Sequence, residues 1–147
     1  MNESDKRITA DNAAGQRIKL PLGLVGFANH TEFELLYQED QLPFRWMRLM
    51  GPEEIHFVVI EPAGVIPDYE PALFDEDAAY LGIQDPTDAL VINIVTVTHS
   101  EPVAATVNLI GPIIVNRRTG IAKQVVIANY NRYDARYPLV VAEPVNT

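Results

Sequence analysis

The sequence contains no cysteine, which excludes disulfides, thiolate metal sites and cysteine nucleophiles, and suits a reducing compartment. Serine is almost missing too. Ser4 and Ser100 are the only two, and neither sits in the glycine-framed turn of a nucleophile elbow. The three histidines, His30, His56 and His99, are far apart and fall in different predicted elements, so no metal-ligand spacing emerges. His56 lies in an apolar run and is expected to be a satisfied structural histidine. No apolar run approaches the roughly 18 residues that span a bilayer. The longest, around Leu90 to Val97, is interrupted by Asn93 and Thr96. The opening "MNESDKRITADNAAGQ" is polar and lacks the apolar core of a signal peptide. Together these absences predict a cytoplasmic protein with no membrane partner.

Positive charge is also missing, over a long interval. All eleven basic residues lie at or before Arg48, or at or after Arg117, so that Leu49 to Asn116 holds no Lys or Arg. The same interval holds eleven acids: Glu53, Glu54, Glu61, Asp68, Glu70, Asp75, Glu76, Asp77, Asp85, Asp88 and Glu101. With a net charge of -9, a surface built from this interval is expected to be strongly negative. Such a face either solubilises the protein or steers a cationic partner. It is a poor match for phosphate backbones, so no direct contact with nucleic acid is expected.

What is present is a chain of 147 residues, 48% of them hydrophobic, which suffices for one domain with a real core. Residues 1–15 read as a flexible N-terminal tail and 16–147 as a single domain. Strands are expected in "QRIKLPL", with Ile18, Leu20 and Leu22 alternating, and in "FELLY" and "FRWMRLM", where Phe44, Trp46 and Arg48 share one side. "IHFVVIEP" is a β-branched run closed by Pro62. "GVIPDYEPALF" carries prolines at 67 and 71, so it is an edge strand or an extended loop. "DEDAAYLGI" predicts one short helix over Asp75 to Leu81, with Asp75 as N-cap and Gly82 as the stop. "DALVINIVTVTH" and "VAATVNLI" are longer strands separated by "SEP", and "PIIVN" and "IAKQVVI" form a hairpin around "RRTG". The expected fold class is mainly β: a small, antiparallel-rich, barrel-like domain with one short helix.

Reactive chemistry is not nominated by any of this. "DEDAAYLG" lacks the alternating oxygen ligands and terminal glutamate of a calcium loop, and no two carboxylates stand out as a glycosidase-type pair. No catalytic residue, metal or cofactor is expected. Interaction residues are easier to name. Tyr69, between Asp68 and Glu70, is expected to be an aromatic anchor in a polar rim, so that Tyr69→Ala folds but loses a partner. Asp75 and Asp77 belong to the acidic interval. The C-terminal "NYNRYDARYP" mixes tyrosine with arginine, as protein hot spots and single-strand platforms both do. The candidate partner-binding residues are Asp68, Tyr69, Glu70, Asp75, Asp77, Asn116, Arg132 and Tyr133.

The stretch "TVNLIGPIIVNRRTGIAKQVVI" resembles the signature of the flagellar assembly factor FliW family, approximately T-V-N-L-x-x-P-I-x-x-N followed by A-x-Q-V-I-L. Asn108, Leu109, Pro112, Ile113, Asn116, Ala122, Gln124 and Val125 take those positions. "LPLGLVGF" is similar to the family's G-L-x-G-F turn, through Gly23, Leu24, Gly26 and Phe27. "PFRWM" and "FVVIEP" with "IPDYE" are similar to its central segments. One step departs: after the tryptophan the family shows a Leu-Gln-Ser-like step, and this chain has Met47-Arg48-Leu49. The signature itself is expected to be structural, with Asn108 and Asn116 bonding backbone at strand ends, Pro112 breaking a ladder and Gln124 needing a partner. The resemblance implies a non-enzymatic regulator that binds flagellin and antagonises the RNA-binding translational regulator CsrA. Competing readings are a small-molecule-binding barrel or cryptic enzyme, and a flagellin chaperone with no role in translation.

Overall fold

A computed structural model describes residues 15–37, 42–98 and 104–139. The expected tail over 1–15 lies almost wholly outside the described residues, as does the "SEP" connection. Nine strands are described: β1 Gln16–Lys19, β2 Glu32–Tyr37, β3 Phe44–Met50, β4 Ile55–Ile60, β5 Ala89–Thr98, β6 Ala104–Val107, β7 Ile113–Asn116, β8 Ala122–Gln124 and β9 Tyr137–Leu139. All their pairings are antiparallel. One helix, α1, covers Asp75–Leu81. The expected fold class is what the structure has.

The barrel character comes from β5 and a single bridge. β5 pairs β4 along one edge, while its other edge is shared by β7 at Ala89–Ile92 and β6 at Val95–Thr98. The sheet therefore splits between β6 and β7, where Pro112 interrupts the chain and removes a ladder donor. One branch ends in β9, the other in β8. Next to β8, Ile121 bridges Lys19 of β1 in parallel, and the Lys19 N–H donates to the Gly120 carbonyl at 2.9 Å. That contact closes the path β1-β2-β3-β4-β5-β7-β8 on itself. Inside lie Ile18, Leu20, Phe33, Met47, Leu49, Val59, Ile92 and Ile113, all fully buried. Each contributes about 1.5–3 kcal/mol of burial free energy for the larger side chains.

Strand alternation decides which side of β3 is core. Met47 and Leu49 point in, whereas Trp46 is exposed and Arg48 lies outside between Glu34 and Glu54. The step that departs from the family pattern is thus two core side chains flanking an ion-paired arginine. His56, expected to be a satisfied structural histidine, faces out of its apolar strand, 3.8 Å from Glu54. Among the described residues the buried histidine is His30, whose Nε2 lies 3.0 Å from the Glu53 carbonyl.

α1 has the predicted span, with a different cap. Phe74, extended at φ -64 and ψ 149, is the N-cap, and its carbonyl accepts from the Asp77 and Ala78 N–H groups. Asp75 is the first helical residue, not the cap, because the extended run from Pro71 carries through Phe74 before the chain turns. Asp75, Glu76 and Asp77 fill the first turn, where the helix dipole favours carboxylates. Gly82 ends the helix at φ 70, donating to Ala79 while Ile83 donates to Ala78. The strand expected over "IAKQVVI" is regular only for Ala122–Gln124.

A glycine in the first turn is indispensable. Gly23 has φ 71, and a Cβ there would meet the Ala28 Cα at 2.6 Å and the Phe27 carbonyl oxygen at 2.7 Å. Gly23→Ala is expected to cost about 2 kcal/mol, because both the left-handed backbone and the contact with main chain resist it. Thermal unfolding of the variant checks this, and an unchanged midpoint would show that the turn can relax.

Candidate partner-binding surface

The segment between β4 and β5, residues 61–88, leaves the barrel wall and folds back over the outer face of β5 and β7. β5 is therefore covered on both sides. Leu90 and Ile92 face the barrel core, while Ala89 and Val91 pack outward with Ile114, Leu81 and Leu73. This burial explains why "ALVINIV" is nearly continuous in its hydrophobicity rather than alternating.

Two polar knots fasten this excursion. The first is built on Tyr69, whose hydroxyl donates to the Leu109 carbonyl at 2.6 Å and accepts from Asn93 Nδ2 at 3.1 Å. Asn93, fully buried, also donates to the Asn108 carbonyl at 2.9 Å. The Tyr69 ring meets Tyr133 edge-on, with centroids 4.9 Å apart and planes at 85°. Burial pushes the Tyr69 hydroxyl up to about 12, partly opposed by its Asn93 hydrogen bond. Tyr133 in turn accepts from the Glu70 N–H at 2.9 Å and donates to the Asp68 carbonyl at 3.1 Å. Asp68 follows Pro67 at φ 58, the order of a type II turn. The Tyr69 side chain, expected to be an aromatic anchor in a polar rim, is half-buried and points its hydroxyl into the protein.

The second knot is Asn116, fully buried at the end of β7. Its Oδ1 accepts from the Arg118 and Thr119 N–H groups at 2.8 and 3.2 Å. Its Nδ2 donates to the Leu81 carbonyl at 2.7 Å, serving one of the orphan carbonyls at the end of α1. One side chain thus closes the β7–β8 turn and holds the helix. The other signature residues behave similarly. Asn108 Oδ1 accepts from Ile110 and Gly111, and Gln124 donates to the Gly111 carbonyl while accepting from the Val25 N–H. The G-L-x-G-F turn and the signature therefore touch.

The sequence-nominated residues divide by geometry. Asp68, Tyr69, Glu70 and Tyr133 come together, and Arg132 lies exposed beside them, lining a shallow cavity with Pro67 and Tyr137. Asp75 is exposed on α1. Asp77 is buried and takes a hydrogen bond from Lys123 at 2.5 Å, and Asn116 is inaccessible. In this fold neither of the last two offers its side chain to a partner.

The charge asymmetry survives folding in reduced form. Glu54, Glu61, Asp77 and Asp88 are matched by Arg48, Arg45, Lys123 and Arg118 from the flanking segments. Asp68, Glu70, Asp75, Glu76 and Asp85 are exposed, and none forms an ion pair among the described residues. Between α1 and β5 lies an apolar groove of about 350 Å³, and of these acids Asp85 lines it. Leu73, Ala78 and Ile83 wall it, and Ala89, Val91 and Ile114 form its floor. Phe74, the N-cap of α1, and Tyr80, on the helix, are exposed. The sequence reading missed this groove because its lining is brought together from the 61–88 excursion, β5 and β7; the run of prolines and small apolar residues after Pro67 was the available signal.

Among the described residues no cluster of three or more potential metal ligands exists, and no helix is long and apolar enough to cross a membrane. What the surface presents is shape, apolar area and negative charge.

Comparison with known proteins places these features. The family described as FliW protein matches residues 3–139 of the chain. The flagellar assembly factor FliW of Leptospira biflexa is 34% identical over 116 residues, covering 79% of this chain and 76% of that protein. The one from Clostridium botulinum is 36% identical over 126 residues, covering 86% and 87%. A crystal structure of the flagellar assembly factor FliW superimposes with a TM-score of 0.72 at 30% identity, covering 85% of this chain and 86% of that one. From the split sheet to the asparagine knots of its signature, this chain belongs to the FliW family of flagellar assembly factors.

Proposed function

We propose that the protein is a non-enzymatic cytoplasmic regulator that binds flagellin and the RNA-binding regulator CsrA, coupling flagellin translation to flagellin export. Flagellin awaiting export occupies it and leaves CsrA free to repress translation; once flagellin leaves, the vacated protein sequesters CsrA. The observation that carries this reading is family membership across residues 3–139. The exposed carboxylates from Asp68 to Asp85 support it physically, since an anionic protein docked on a cationic RNA-binding protein repels phosphate.

Competition tests the proposal. The protein is mixed with labelled CsrA and titrated with flagellin, and flagellin is expected to release CsrA. Flagellin binding with no CsrA binding would reduce the protein to a flagellin chaperone. Binding to neither would end the proposal.

Steering gives a second expected result. Asp68→Asn, Glu70→Gln, Asp75→Asn and Glu76→Gln together remove four exposed charges without touching the Asp77–Lys123 pair. Association with CsrA is expected to slow about tenfold at low salt, and the difference should fade as salt shortens the screening length toward about 8 Å. Stopped-flow rates measure this; identical rates at low salt would count against steering.

A further inference from the structure

We propose that the groove between α1 and β5 is the docking site for an amphipathic helix of a partner protein, its apolar stripe flanked by lysine or arginine. This rests on the protein-binding reading above and specifies the surface and the chemistry of what it takes. The floor of the groove selects a helix over an extended peptide. Ala89 and Val91 of β5 stand opposite Asn116 and Ile114 of β7, so the two strands are paired to each other there. They offer the groove side chains rather than a free edge, and recognition proceeds by anchors at i, i+3 and i+4.

Charge selects the flanks. Asp85 lines the groove, and Asp75 stands one turn before Ala78 on the same face of α1. No groove-lining residue is cationic. Two nearby cations are engaged elsewhere: Arg118 holds Asp88 at 3.3 Å and the Gly82 carbonyl at 3.2 Å, and Lys123 holds Asp77, while Arg117 is exposed in the adjoining cavity that shares Pro71, Ala89 and Val91. Asp85 is kept below the ordinary carboxylate range by the Thr87 N–H and hydroxyl, so it stays ionised across the physiological range. Lysines flanking the stripe meet opposite charge at the rim, while an acidic helix of the same shape is repelled.

Two synthetic helical peptides test this on the full chain. They share one leucine stripe and differ only in flanks of lysine or of glutamate. The lysine peptide is expected to bind at least about tenfold more tightly than the glutamate peptide, moving the amide resonances of Ala78, Gln84 and Asp85. Ala78→Lys keeps a good helix former while placing bulk and positive charge in the groove. It is expected to weaken the lysine peptide at least about tenfold with an unchanged circular dichroism spectrum and melting curve. Asp85→Asn, which retains the capping oxygen, is expected to narrow the preference between the peptides and serves if Ala78→Lys does not fold. Equal binding of both peptides, absence of lysine-peptide binding, or binding whose resonance shifts lie elsewhere and survive both variants would overturn the proposal. Neither peptide requires flagellin or CsrA, so failure of the groove and failure of the regulatory reading are read separately.

Discussion

Tyr69→Ala is expected to destabilise the protein by about 3 kcal/mol, a cavity-forming loss at the junction of two apolar clusters. The ring packs against Tyr133, and its hydroxyl is the partner of both the Leu109 carbonyl and Asn93. Tyr69→Phe isolates the polar share. It leaves the ring in place but orphans a carbonyl and deepens the lack of partners at Asn93, whose Oδ1 is already unpaired. About 1–3 kcal/mol is expected for that change. Urea denaturation measures both; a lowered midpoint with an unchanged slope identifies lost stability rather than an altered unfolded state. The hydroxyl also gives a pH signature. Its pKa in the folded state, about 12, lies above the ordinary tyrosine value, so the folded state holds its proton after the unfolded chain has released its own. The stabilisation is complete below the unfolded value and is lost as pH rises from about 10 toward 12. Tyr69→Phe should lack that alkaline component, and an identical alkaline profile in the variant would argue that the hydroxyl is solvated.

Asn116→Ala is expected to cost about 3 kcal/mol, since it strips hydrogen bonds from two turn N–H groups and from the last carbonyls of α1 at one stroke. Asn116→Asp should be no rescue. Its carboxylate would still accept from Arg118 and Thr119, but it would face the Leu81 and Gly82 carbonyls where the amide donates at 2.7 and 3.4 Å. Hydrogen exchange should show α1 and the 117–120 turn loosening together in the alanine variant. Loosening of the turn alone would mean that α1 is held by its apolar contacts without the asparagine.

Local features were legible in the sequence, and long-range ones were not. α1 could be bounded because three acids favour a helix start and Gly82 ends it, both being effects within a single turn. The β7–β8 hairpin followed from four residues ending in Gly120, which indeed has φ 74. The structural role of Asn108, Asn116 and Gln124 was inferable from polar residues placed among apolar ones, which must find partners when buried. The direction of Tyr69 was not, because its partners lie 24, 40 and 64 positions away, at Asn93, Leu109 and Tyr133. A tyrosine between two acids looks the same locally whether it faces solvent or a buried carbonyl. Likewise the apolar run around His56 did not show that β4 has an outward face, which the histidine occupies. The closure of β1 onto β8 rests on one bridge that no local pattern announces.

Under the proposed function, partner recognition sits on the 61–88 excursion and the barrel holds it. Backbone hydrogen exchange of the protein alone and saturated with flagellin tests that directly. The predicted result is new protection concentrated between Asp68 and Val91, across the groove and its rim, with the β1–β3 wall unchanged. Protection confined to β1–β3 or to the β6–β9 branch, with 68–91 exchanging as in the free protein, would contradict it.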